Sequence, residues 1–392
     1  MELFSEKEKC YGCGACYNAC PRGAISLKAD EQGFLYPVID NEKCIECGMC
    51  RKVCQIGREL ILQEETESIC YGVKNSDNVR NASSSGGVYT AISDEILSHK
   101  GLCAGVVFDS KMKVVHTLTD HAVKRNDFRG SKYVQSDMKR IYQSIEKELK
   151  NGREILFTGT PCQVSGLKTY LYSKKIDIQK LYLNDLVCHG VPSPSIWKAY
   201  VEFLEKKYNS KVIKYIFRDK EKGWHGYHVK ATFSDNKEIK DNKEVESFVT
   251  LFKRDIMLRP SCYQCPYASL KRTGDLTIAD FWGIENIDSE FSDEKGVSLV
   301  ITNTKKGKNL FGKICNSNDI KIRQYNINQL KQQNLHRPTR RGNFYLNFWK
   351  SYIKFGYEKI AQKYGGCGKY QFFYHIRDSI SYRLNNWKER KL

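Results

Sequence analysis

CYGCGACYNACP at residues 10–21 is answered 34 residues later by CIECGMCRKVCQ at residues 44–55. Each run has the spacing C-x2-C-x2-C-x3-C, so the first 54 residues contain an internal repeat of four thiols: Cys10, Cys13, Cys16 and Cys20, then Cys44, Cys47, Cys50 and Cys54. A cubane iron-sulfur cluster needs four soft thiolate donors, and two-residue gaps let three of them wrap it from one tight loop. In a two-cluster arrangement the last cysteine of each run serves the other cage. The expected sets are therefore Cys10, Cys13, Cys16 and Cys54 for one 4Fe-4S cluster, and Cys44, Cys47, Cys50 and Cys20 for the second. Gly12, Gly14 and Gly48 suit backbone that must curl close to sulfide. Structural zinc would ask for ligands in two pairs and not for two interlocked sets of four.

Pro21 follows the first run as in bacterial ferredoxins, whereas Gln55 stands at the equivalent place after the second. Short apolar stretches at 23–27 and 33–39 flank a polar turn, as in a small hairpin. Residues 1–60 are expected to form a bacterial-ferredoxin-like module.

The chain has 392 residues, enough for two or three domains, and no apolar run of membrane-spanning length. Its N-terminus lacks a cationic-then-apolar leader, so a cytoplasmic location is expected. Sixteen cysteines in a reducing compartment point to metal rather than to a disulfide framework. The first 70 residues hold 8 Lys and Arg against 12 Asp and Glu, while the remainder holds 56 against 33 and nets +23. An acidic head on a basic body could dock an acidic electron carrier, an anionic substrate or nucleic acid. No helix-turn-helix, zinc-finger or RNP pattern supports nucleic acid, and none is expected as a partner. Walker A, HExxH, GxSxG and helix-opening GxGxxG patterns are also missing, so nucleotide hydrolysis, zinc proteolysis, serine hydrolysis and a standard dinucleotide fold lack support.

Beyond a Glu-rich stretch at 56–68 the pattern alternates strands and helices. Strands are expected at 69–73, 101–108, 113–118, 154–159 and 180–188, with helices at 86–99, 136–150, 161–172 and 194–208. Residues 212–233 alternate as antiparallel strands do, so the fold class is α/β with a mixed sheet. A second linker is expected at 334–343. Residues 336–392 carry 13 Lys and Arg against 3 Asp and Glu, interleaved with aromatics. Tyr345, Phe348, Trp349 and Tyr352 share one helical face, which reads first as a stripe packed on the core and second as a peripheral membrane contact.

Five places in the body look chemical. Ser83-Ser84-Ser85-Gly86-Gly87 precedes a helix and could seat a phosphate, or be an ordinary N-cap. Gly130-Ser131-Lys132 is similar: Lys132 either holds a pyrophosphate or faces solvent. Thr158-Gly159-Thr160-Pro161-Cys162 turns a strand into a helix, with Cys162 in the first turn, where a thiol's pKa falls. Cys188-His189 closes the next strand, and Cys262-Tyr263-Gln264-Cys265 supplies a CxxC. Cys162, Cys188, Cys262 and Cys265 are expected to converge on a third 4Fe-4S cluster; a redox disulfide at the CxxC is the competing idea. Cys70, Cys103, Cys315 and Cys367 read as packing residues.

With SSSGGVYTAI at 83–92, FTGTPCQVSGLK at 157–168, DLVCHGVPSP at 185–194, Phe217 to Trp224, RPSCYQCPYAS at 259–269 and GDLTIADFWGI at 274–284, the chain resembles the coenzyme F-420 hydrogenase/dehydrogenase beta-subunit family. The resemblance implies a mixed-sheet flavoprotein body, with a family N-terminal domain at 68–150, a family C-terminal domain at 151–335 and basic aromatic helices at 336–392. It implies FAD beside an iron-sulfur cluster, near Ser84, Ser85, Gly86, Gly87 and the turn Thr158, Gly159, Thr160, with the four body cysteines around the proximal cluster. The implied activity is that of an oxidoreductase moving electrons from ferredoxin-type clusters through FAD to a deazaflavin or another small molecule. The alternative is an electron-transfer subunit wired to a partner redox subunit. No acid or base is assigned; His189, His225 and His228 are candidates.

Overall fold

In the computed structural model, which describes residues 3–56, 68–316 and 319–368, the cysteine repeat has a conformational counterpart. The short helices Ala15–Ala19 and Met49–Lys52 each start from a left-handed glycine, Gly14 at φ 76° and Gly48 at φ 71°. A side chain would strain both turns, which is why each run places glycine straight after its second cysteine. Between the runs, β1 (Ile25–Ala29) pairs antiparallel with β2 (Leu35–Ile39). The linker expected at 56–68 lies almost wholly outside the described residues.

The body is built on an eight-stranded sheet. Its strands are β3 (Ile69–Lys74), β4 (Leu102–Phe108), β5 (Val114–Thr119), β6 (Ile155–Gly159), β7 (Leu181–Leu186), β11 (Leu276–Asp280), β12 (Ser298–Thr302) and β13 (Lys321–Tyr325). They lie in the order β13-β3-β12-β11-β7-β6-β4-β5. The four central strands β4, β6, β7 and β11 run parallel, and antiparallel strands close both edges. Strands β8 (Val212–Ile216), β9 (Lys230–Phe233) and β10 (Glu238–Lys240) form a separate antiparallel sheet. The alternation at 212–233 thus marks a sheet of its own, and the mixed character of the main sheet comes from its edges.

The helix expected at 136–150 begins only at Ile141. Asp137 is held by a bridge to Val115 of β5, and Lys139 takes a positive φ, so the preceding residues extend the sheet edge instead. The helix after β6 starts cleanly at Pro161, where Thr160 and Gln163 form a capping box.

The head is sewn into the body. Ala15, Ala19 and Val53 share a core with Tyr142, Val164, Leu167 and Tyr170, beneath one face of the sheet. Phe34 and Tyr36 share another with Trp197, Tyr200, Phe248, Phe348 and Trp349. The helix Tyr345–Lys363 lays its aromatic stripe into that core, since Tyr345, Phe348 and Trp349 are buried and Trp349 meets Phe34 edge-on at 6.0 Å. The stripe is spent on packing. Residues 369–392, the remainder of the basic tail, lie outside the described residues.

Cys70 and Cys103 are fully buried and Cys367 partly so, but Cys315 is exposed in the last turn beyond the helix Lys305–Ile314. That helix turns Leu310, Phe311 and Ile314 inward. Cys315 is therefore no packing residue. No described helix is long and apolar enough to cross a membrane.

Candidate functional site

Parallel strands end where the next connection departs, and ligands bind in the crevice at their carboxyl ends. Here the ends of β6, β7 and β11 open onto a cavity of about 550 Å³. Into it come the loop of Ser84, Ser85 and Gly87, the loop of Ser131 and Lys132, and the turn Thr158, Gly159 and Thr160. The two weakest sequence signals meet directly: Ser131 donates its backbone N–H to Ser84 Oγ at 2.8 Å. Ser85 is tied instead to the Val297 carbonyl at 2.7 Å. Gly86 does not line the cavity. A Cβ there would stand 2.1 Å from the Val73 carbonyl oxygen and 2.4 Å from Ser298 N, so this glycine lets the loop lie on the sheet.

Lys132 donates to the Asp127 and Arg129 carbonyls at 2.6 and 2.9 Å, and burial pushes its pKa down to about 7. An anion in the cavity would reverse that shift. Lys220, from the segment after Phe217, fixes the serine loop by donating to the Ser85 carbonyl at 3.0 Å. The cavity also has aromatic lining: Tyr133 stacks on Phe252 at 4.8 Å, and Tyr227 and Trp282 flank the Arg218 guanidinium at 4.9 Å each. Serines, a lysine and aromatic rings lining one cavity suit a ligand having both a phosphate and a flat ring system.

Cys162, Cys188, Cys262 and Cys265 come together beside this cavity, lining a small void with Tyr11. The void and the cavity share seven lining residues, among them Thr160, Gln163, Cys188 and His189. The helix start does not lower the Cys162 pKa as expected, because burial outweighs it and raises the value. Burial also pushes Cys262 and Cys265 up to about 12, and the negative charges of the neighbouring thiols add to this. The framework is the buried pair Asp185 and Arg272. Arg272 donates to the Leu186 and Tyr267 carbonyls, so the strand end before Cys188 and the chain after Cys265 are held by one side chain.

In the head, the charges of Cys10, Cys13 and Cys54 all act on Cys16, and those of Cys20 and Cys44 on Cys50. These are the crossed sets read from the spacing. Cys20, Cys44, Cys47 and Cys50 line one void, with Cys47 exposed to solvent. The inner set opens on a larger cavity of about 980 Å³ between head and body. Burial pushes Cys13 up to about 12, and Cys162 of the body is among the charges that add to this. Tyr11 stands between the two groups, its pKa raised to about 12 by burial and then by Cys265, Cys162, Cys54 and Cys13.

Sequence reasoning missed the residues that make this junction. Gln55, where the repeat lacks its proline, donates to the Cys162 carbonyl at 3.0 Å and accepts from the Tyr267 hydroxyl. Tyr142 donates to the Cys13 and Gln163 carbonyls. Gly166 lets the helix Pro161–Ser173 touch Cys13, since a Cβ there would lie 2.9 Å from Cys13 Cβ. His116 lies under the cavity turn, with Nε2 3.3 Å from the Thr158 carbonyl oxygen and Nδ1 3.0 Å from Ser136 Oγ; burial lowers its pKa to about 4. The only hint was Gln55, as a departure from the motif. Of the three candidate histidines, His189 lines the cavity and pairs with Asp255 at 2.5 Å; His225 and His228 are not among the lining residues.

Among the described residues, no three His, Cys, Asp or Glu side chains close on one point as a single metal ion would require. Four soft thiols around a void fit a cage better, because a cubane holds its ligands at separate corners.

Residues 9–57 match a 4Fe-4S dicluster domain, and residues 152–327 match the C terminus of the coenzyme F420 hydrogenase/dehydrogenase beta subunit. The chain therefore carries the C-terminal domain of that beta-subunit family. A 4Fe-4S dicluster domain precedes it. An uncharacterized ferredoxin of Methanocaldococcus jannaschii is 44% identical over 36 residues, which are 9% of this chain and 47% of that protein, so the chain spans about half the relative's length. A chain of the F420-reducing [NiFe] hydrogenase complex from Methanosarcina barkeri is similar at 17% identity and a TM-score of 0.44, over 78% of this chain and 93% of that one.

Proposed function

We propose that the three thiol groups hold three 4Fe-4S clusters, that the cavity at the strand ends holds FAD, and that the chain passes electrons to an organic acceptor such as a deazaflavin. The observation that carries this is continuity. The outer thiols include exposed Cys47, Cys162 acts on the inner head thiol Cys13 with Tyr11 beside both, and the third group's void shares seven wall residues with the cavity. When bound, clusters supply single-electron steps and a flavin joins them to two-electron chemistry.

The chain's own part is to bind, orient and exclude water. Ser84, Ser131 and Lys132 would hold phosphate; Tyr133, Tyr227 and Trp282 would hold the ring. Thr158, Gly159 and Thr160 would form the floor between ring and thiols. The boundaries we assign are 1–60 for the dicluster head, 68–150 and 151–335 for the two parts of the body, and 336–392 for the tail. Sixteen free thiols fit a reducing cytoplasm. Leu346, Ile353 and Phe355 are exposed beside Lys350 and Lys354, and are left for a surface contact with anionic lipid.

A second reading is an electron-transfer subunit that works only within a larger redox complex. Exposed Ile45 close to exposed Cys47 favours it, since an apolar side chain beside an accessible outer thiol suits contact with a protein partner. Protein purified without oxygen should release flavin on acid treatment and bleach on reduction. Lack of flavin, even after incubation with FAD, would overturn the flavoprotein proposal. Turnover of a deazaflavin by the isolated chain separates the two readings.

A further inference from the structure

Arg259 is fully buried, and among the described residues no carboxylate pairs with it. A buried guanidinium with no countercharge is expensive. Its polar contacts are the Cys10 carbonyl from Nε at 2.8 Å, Gln135 Oε1 from Nη1 at 3.1 Å, and, from Nη2, the Leu35 carbonyl at 3.2 Å and Cys10 Sγ at 3.5 Å. The cation also lies 4.2 Å from the centre of the Tyr36 ring. These contacts all lie in the head or at Gln135, although Arg259 belongs to the body and stands three residues before Cys262. Its backbone carbonyl accepts from the Cys262 N–H at 2.9 Å, which ties it to the third group, where its charge acts on Cys162 and Cys262. Gly12 makes room for it, since a Cβ there would stand 2.9 Å from the guanidinium carbon.

We propose that Arg259 is the fixed countercharge shared by the first and third clusters and that it raises the reduction potentials of both. This rests on the cluster reading above. A cluster gains negative charge when it takes an electron, so a nearby cation and an N–H···S bond favour its reduced form. The outer thiols Cys20, Cys44, Cys47 and Cys50 make no contact with Arg259 and serve as an internal control. The consequence is directional: the cation draws electrons from the exposed end toward the cavity.

The test is EPR-monitored redox titration of the anaerobic full chain carrying Arg259→Gln, with Arg259→Lys in parallel. At a fixed potential the reduced-to-oxidised ratio of the inner signals should fall at least tenfold in Arg259→Gln, about 59 mV for a one-electron couple. Arg259→Lys should recover part of this, and the outer signal should stay in place. Should Arg259→Gln fail to hold iron, wild-type protein labelled with 15N-guanidino arginine decides instead. Pulsed EPR of the reduced inner cluster should then show 15N coupling. Unshifted inner potentials with iron retained, or missing 15N coupling, would overturn the proposal. A chain that takes up no iron overturns this and the cluster reading together; iron with unshifted potentials overturns this alone.

Discussion

Replacing Asp185 with Asn should loosen the third thiol group while leaving the head intact. Asp185 and Arg272 have 0% and 1% side-chain exposure. Asp185 Oδ1 accepts from Arg272 at 3.2 and 2.7 Å and from Thr277 Oγ1 at 2.7 Å. Oδ2 accepts from Thr273 N at 3.1 Å, Thr273 Oγ1 at 3.1 Å and Gly274 N at 2.9 Å. The amide would set an N–H₂ donor against the backbone donors of Thr273 and Gly274, or else against Arg272. Removing one member of a buried ion pair costs about 3–5 kcal/mol. That corresponds to roughly two to three and a half orders of magnitude in local opening, at about 1.4 kcal/mol per decade. The assay is amide hydrogen exchange at 272–275 together with iron analysis of protein prepared without oxygen. Exchange should accelerate by at least about a hundredfold on that arithmetic, with iron falling by about four per chain as one cubane is lost. Unchanged exchange with full iron would refute the claim that this pair holds Cys188 and the CxxC loop together.

Gly166→Ala forces about half an ångström between the helix and Cys13. Its helix-propensity gain of about 1 kcal/mol offsets much of the overpacking cost, so stability should move little while the inner EPR signal shifts; an unaltered signal counts against the contact. Lys132→Gln should weaken FAD binding at least about tenfold, the value of one charge-assisted hydrogen bond, measured by fluorescence quenching; equal affinity refutes the phosphate role. His116 has a folded pKa of about 4, below its ordinary 6.5, because of burial. The unfolded chain therefore binds the extra proton, and the stability His116 contributes above pH 6.5 is lost as pH falls toward 4, by about 2 kcal/mol at pH 5. Thermal melts of His116→Gln against wild type at pH 7.5 and 5 should show this acid loss reduced in the variant; parallel losses in both would refute it.

What could be read in the sequence was whatever one short segment encodes by itself. The grouping of the head thiols follows from loop spacing, and the serine-glycine approach to a helix marks a loop that lines the cavity. The strand-turn-helix around Thr160 carries its own capping residues. What could not be read depends on contacts between distant segments. Arg259 and Cys10 are 249 positions apart, and Gln55 and Tyr267 212. No local pattern marks Gly166 as the site where the body helix meets Cys13. The late start of the helix at Ile141 has the same origin, since a bridge from Asp137 to β5 overrides helical periodicity. Cys162 shows the limit of a local pKa rule, because burial among other thiols outweighs the helix start.

The continuity of thiols from surface to cavity is tested most directly by counting iron and acid-labile sulfide in the anaerobic full chain, beside a Cys162→Ser variant. Three cubanes give about twelve irons per chain, with about four fewer in the variant and the head signals unaltered. About eight irons in both proteins would leave the head isolated from the cavity and contradict the relay.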